Sequence, residues 1–142
     1  MKIENEILIN KYGQGLIPSE QLTDDFCLLD FSQQKSFLND IVYLIVQSKP
    51  KDEDIQVAIE QSKLKPTYTS CILLKKGVAR HNLQKLIELP EFELKRTFIL
   101  LISLFKIAYK RRFDLEKNNP DKWWYWDLSD AAKVDAIIKN RS

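Results

Sequence analysis

Twelve consecutive residues, Thr97-Phe98-Ile99-Leu100-Leu101-Ile102-Ser103-Leu104-Phe105-Lys106-Ile107-Ala108, restrict the folds open to this chain more than any other stretch. They are apolar almost all the way round a helical wheel. A helix of that kind has to be surrounded by other elements, because no single face can be left to water. The longest apolar run within it, 98–105, is broken by Ser103 and closely flanked by Arg96 and Lys106, well short of the roughly 20 apolar residues a bilayer demands. The expectation is therefore a core helix from about 91 to 113, with Pro90 at its first turn and Glu91 and Glu93 where the helix dipole favours acids.

The remaining segments supply the elements that would surround it. Ile3, Ile7, Leu8 and Tyr12 recur at helical spacing, and Gly13 follows as a terminating glycine. Pro18-Ser19 starts a second helix with Leu22, Phe26 and Leu29 on one face. Ser32 is read as the N-cap of a third, running to about Ser48. Its Ile41-Val42-Tyr43-Leu44-Ile45-Val46 stretch is β-branched, yet Phe37, Leu38, Ile41, Val42 and Ile45 keep the helical interval. Asp52, Glu53 and Asp54 read as a solvated acidic start to a fourth helix carrying Ile55, Ala58, Ile59 and Leu64. Shorter helices follow around Cys71–Leu74 and Leu83–Ile87, and a last one follows Asp127 or Ser129. The chain is predicted to be one all-α domain over 1–142, an irregular bundle of seven or eight helices with no strand.

Bulk properties narrow the function classes. A length of 142 residues suffices for a core without metal or disulfides. Twenty-two basic against 20 acidic residues leave a net charge of +2, which argues neither for nucleic-acid binding nor for an anionic membrane surface; nucleic acid is an unlikely partner and no membrane is expected. The opening Met1-Lys2-Ile3-Glu4-Asn5-Glu6 is charged and predicts no secretory signal. Cys27 and Cys71 are too few and too widely spaced for a disulfide framework or a zinc site. They read as buried, reduced thiols of a cytoplasmic protein.

Candidate chemistry is sparse. Gly13-Gln14-Gly15 lacks the further glycine and the lysine of a phosphate loop, so a helix-to-helix turn is the simpler reading. His81 is the one histidine, in a polar Arg80-His81-Asn82 context, and Cys71 lies in an apolar one; a Cys/His catalytic pair would have to use them. Asp24 and Asp25 are adjacent and point to different helix faces, while Asp52-Glu53-Asp54 has no EF-hand glycine or closing glutamate. No metal and no cofactor is expected, and no catalytic residue is assigned.

What stands out is the C-terminal quarter, where Lys106, Lys110, Arg111 and Arg112 are followed by Trp123-Trp124-Tyr125-Trp126. Trp, Tyr and Arg are the residue types that dominate binding hot spots. Arg111, Arg112, Trp123, Trp124, Trp126, Asp127 and Asp130 are therefore the candidate site, holding another protein or a second copy of the chain. The bland alternative is a clasp, in which tryptophans pack over the end of the long helix and Arg111 or Arg112 pairs with Asp127 or Asp130. Stacking of single-stranded nucleic acid on the aromatics is the alternative binding mode, and an enzyme with an unfamiliar site is the third reading.

Ile9-Asn10 with Gln14-Gly15, Leu104-Phe105 with Arg111-Arg112, and Trp123-Trp124 followed by Asp127-Leu128-Ser129-Asp130 together span most of the chain. This pattern resembles an uncharacterised bacterial domain-of-unknown-function family of small helical proteins. The resemblance implies a helical, cytoplasmic domain and no particular chemistry. In relatives the position after the paired tryptophans is often histidine; Tyr125 stands here, which speaks against a shared histidine or metal site.

Overall fold

A computed structural model describes the backbone of residues 3–116 and the side chains of residues 4–111. Among the described residues there are seven α-helices and no strand: α1 (Ile3–Gly13), α2 (Ser19–Cys27), α3 (Phe31–Ser48), α4 (Asp52–Ser62), α5 (Thr69–Lys75), α6 (Arg80–Ile87) and α7 (Glu91–Glu116). The all-α bundle expected from the periodicity is the one observed. The helix expected over the C-terminal residues from Asp127 or Ser129 lies outside the described part.

α7 is the axis. Leu94, Phe98, Leu100, Leu101 and Leu104 have no exposed surface, and Ile102, Phe105 and Ala108 have almost none. At about 25 cal/mol per Å² of apolar surface removed from water, this stripe is the principal reason the other helices collect around α7. α3 and α4 make its most extensive packing, and α1, α2, α5 and α6 also touch it. Phe26 of α2 stacks on Phe98 with centroids 4.1 Å apart and planes 8° from parallel, and Phe37 of α3 is tilted against Phe98 at 5.9 Å. Farther along, Gly13 of α1 meets Tyr109 and Asp54 of α4 meets Arg111. α1 and α3 thus run alongside α7 in its own direction, while α2 and α4 run against it.

The local signals differ from expectation at several ends, each for a physical reason. α3 is capped by Asp30 and not by Ser32: Gln33 N donates to Asp30 Oδ1 (2.8 Å) while Asp30 N donates to Gln33 Oε1 (3.1 Å), a complete capping box that satisfies two orphan donors at once. The β-branched run 41–46 is helical, because its apolar interval is that of a helix with one face on α7. Two residues past the end of α1, Gly15 has a φ of +82°, the left-handed conformation; Leu16 N donates to Lys11 O and Gly15 N to Tyr12 O, the paired bonds of a Schellman close. Gly13 remains helical and has another role, described below. α3 and α4 close on Lys49 and Lys63, both with positive φ. Cys71 is buried as expected, but Cys27 is exposed at the end of α2, so only one of the two thiols belongs to the core. α7 continues to Glu116, one turn past its expected end.

Candidate functional site

Of the predicted site residues, Arg111 is described in full. Arg112 falls on α7 with its side chain outside the described set, and Trp123, Trp124, Trp126, Asp127 and Asp130 lie beyond it. Arg111 finds its carboxylate in α4. Its Nη1 and Nη2 donate to Asp54 Oδ2 and Oδ1, a two-pronged pair between residues 57 apart in the chain. The Asp54 side chain is 3% exposed and that of Arg111 31%. A planar guanidinium matches a carboxylate in this way, whereas the compact ammonium of a lysine does not.

Asp54 is thus not part of a solvated acidic start. Asp52 and Glu53 are exposed, as expected for acids at a helix N-terminus, whereas Asp54 turns inward. Its Oδ2 also accepts from Lys51 N at 2.8 Å, so one carboxylate caps α4 and receives Arg111 together. Charge burial is costly unless every lone pair has a partner, and both oxygens of Asp54 are engaged.

The same end of the molecule contains two more tight arrangements. A Cβ on Gly13 would lie 2.8 Å from Tyr109 Cγ and 3.0 Å from its Cδ1 and Cδ2, so the bare backbone of α1 lies against the Tyr109 ring. Tyr109 in turn packs against Phe105, centroids 5.5 Å apart. Tyr12, 3% exposed, lies beneath the ammonium of Lys106, whose Nζ is 5.0 Å from the ring centroid. Burial, with a smaller contribution from the nearby Glu20 carboxylate, pushes the Tyr12 phenol up to about 12.

The groups weighed for catalysis are scattered. His81 is exposed at the start of α6. The Cys71 thiol is buried in α5, and that burial raises its pKa, only partly offset by Ser70 and Lys75. Asp24 and Asp25 are exposed on α2. Among the described residues no three His, Cys, Asp or Glu side chains come together as a metal site, and no helix is long and apolar enough to cross a membrane.

Sequence reasoning missed Asp54 as the partner of Arg111. The helical interval does not single it out: Asp54 stands four before Ala58, but Asp52 stands three before Ile55 and seven before Ile59, so both acids border the apolar side of α4. A second inward polar contact was also missed: Asn5 Nδ2 donates to the buried Asp40 Oδ2 at 2.8 Å, tying α1 to α3.

These features define a helical bundle whose long central helix is pinned near its C-terminal end by an ion pair to a buried carboxylate. The chain belongs to the DUF5958 family, a family of unknown function, whose model matches residues 4–127. That match takes in Arg111, Arg112, Trp123, Trp124, Trp126 and Asp127 and stops short of Asp130. No curated protein and no solved structure matches the chain.

Proposed function

We propose that the chain is a non-catalytic protein-interaction module of the cytoplasm, presenting the residues that follow α7 to another protein. The observation that carries this reading is the Arg111–Asp54 pair, which fixes the helix leading into Trp123-Trp124-Tyr125-Trp126 to the body of the bundle. Three tryptophans within four residues, downstream of a helix held in this way, are anchors of the kind that dominate interfaces. The pairing also takes up the charge of Arg111, which weakens the alternative in which Arg111 and Arg112 attract nucleic acid through their cations.

Capture from a lysate of the native host by the immobilised full chain tests the reading, with Trp124→Ala and Trp126→Ala measured beside the wild type. A specific protein retained by wild type and lost by both variants, with melting temperatures within a few degrees of wild type, supports it. A large fall in melting temperature with capture unaltered would instead make these residues a clasp over the helix end.

A further inference from the structure

A chain with a net charge of +2 carries its charges unevenly. Between Glu60 and Glu88 there are six cations and no acid: Lys63, Lys65, Lys75, Lys76, Arg80 and Lys85. All six side chains are exposed, and among the described residues none is engaged by a carboxylate. They ride on the C-terminal end of α4 and on α5 and α6, which pack on one another in that order. Between Lys11 and Lys35 the reverse holds: Glu20, Asp24, Asp25 and Asp30 occur with no cation, and all four are exposed. This acidic stretch follows α2, which leans on α7. Two cations lie over rings at its two ends, Lys106 of α7 over the Tyr12 ring and Lys35 over the Phe31 ring at 5.3 Å.

Helix stability explains only part of this pattern. Lys63, Lys75 and Lys76 sit at helix C-termini, where cations are favoured. Arg80, however, opens α6, placing a cation at the positive end of the dipole, and the N-cap Ala79 offers no side-chain acceptor. Asp24 and Asp25 lie in the last turn of α2, which has no basic residue, so two carboxylates face the negative end. Each such placement costs about 0.3–1 kcal/mol. Apolar surface accompanies both charged faces: Leu28 is 85% exposed beside Asp24 and Asp25, and Ile72 is 48% exposed between Lys65 and Lys75.

We propose that the face built by α4, α5 and α6 docks the acidic end of α2 on a second copy of this chain. The contact is head-to-tail: a cationic surface that includes Ile72 meets a carboxylate surface that includes Leu28. Within one copy α2 makes no extensive packing against α5 or α6, so among the described residues each copy keeps one face of each sign and can go on adding copies. The inference goes beyond the interaction reading above and uses neither Arg111 nor the tryptophans. An interface with charged rims and a small apolar centre is weak and governed by ionic strength.

Sedimentation velocity of the full chain tests it, over a concentration series at about 0.01 M and about 1 M ionic strength, where the screening length falls from about 30 Å to about 3 Å. The weight-average mass is expected to grow with concentration at low salt and to return to that of one chain at high salt. Lys75→Gln/Lys76→Gln/Arg80→Gln and Asp24→Asn/Asp25→Asn should each weaken association about tenfold or more, with the melting temperature unchanged or raised in the aspartate pair and within a few degrees of wild type in the triple variant, which loses two favourable C-terminal cations and one unfavourable N-terminal one. An equimolar mixture of the two variants keeps one intact face of each kind, and should associate again and stop at two chains. Leu28→Ser, at a side chain already in water, provides a third variant that also weakens association. A chain monomeric under all conditions, association that ignores salt and all three variants, or a variant mixture that remains monomeric would overturn the proposal. So would a duplex oligonucleotide that binds the Lys75/Lys76/Arg80 face of a chain that stays monomeric.

Discussion

From Leu94 to Phe105, α7 meets its neighbours through stacked and tilted phenylalanines and leucines with no exposed surface. From Lys106 to Arg111 it meets them through a cation over a tyrosine ring, a glycine against a second tyrosine, and an ion pair to a buried carboxylate. The first region is held by area and the second by matched shape and charge. Apolar packing tolerates exchange among side chains of similar volume, because the hydrophobic effect has no direction. The second region tolerates almost no exchange, since each contact depends on one residue type at one place. The two regions should therefore respond differently to substitution.

The largest effect belongs to the apolar region. Phe98→Ala removes a ring in contact with both Phe26 and Phe37 and should lower unfolding free energy by about 3–5 kcal/mol in urea melts; Phe98→Leu should restore more than half of it. In the polar region, Arg111→Ala strands the buried Asp54 carboxylate and should cost about 3 kcal/mol, somewhat discounted because the arginine is partly in water. Here the rescue differs: Arg111→Lys should recover little, whereas Arg111→Met with Asp54→Leu should recover most of the loss and fall short of wild type by about 1 kcal/mol, because the α4 cap goes with the carboxylate. If lysine rescues as well as the apolar pair, the geometry of the guanidinium is not what holds this end.

Gly13→Ala ranks next. In an unencumbered helix alanine would stabilise by about 1 kcal/mol. Against Tyr109 the added Cβ overpacks, so a loss of about 1–3 kcal/mol is expected in thermal melts. A gain in stability would show that the tyrosine ring yields. The smallest effect is one of pH. The folded Tyr12 phenol is raised from 10.0 to about 12, so its neutral form is the one the fold favours. Its contribution is complete below pH 10 and is lost as pH rises from 10 toward 12, by roughly 2 kcal/mol. Stability measured across that window should fall less steeply in Tyr12→Phe than in wild type.

The same contrast governs how much could be read in advance. The apolar run at 97–108 announced a central helix and a bundle around it, because hydrophobic periodicity is local and repeats many times. Even the β-branched stretch at 41–46 yielded to the spacing of its neighbours. Single-residue devices were harder. Asp30 outcompeted Ser32 as a cap because Gln33 stands where it can complete the box, and Gly15 rather than Gly13 takes the left-handed turn. Asp54 resembled its two solvated neighbours in sequence, and its partner lies 57 residues away; no local pattern encodes such a distance. Of the candidate site, the sequence offered Arg111 and a cluster of aromatics but not the carboxylate that engages the arginine.

That separation of 57 residues has a consequence in time. Asp54 and Arg111 close a loop that holds α5, α6 and most of α7, at a cost in chain entropy that only the assembled bundle repays, so their pairing is expected to form late on the way to the native state. An interaction formed after the folding barrier slows escape from the native state and leaves the rate of reaching it nearly untouched. In stopped-flow chevrons Arg111→Ala should therefore raise the unfolding rate while refolding keeps its wild-type rate. The pair would then govern how long each molecule persists once folded.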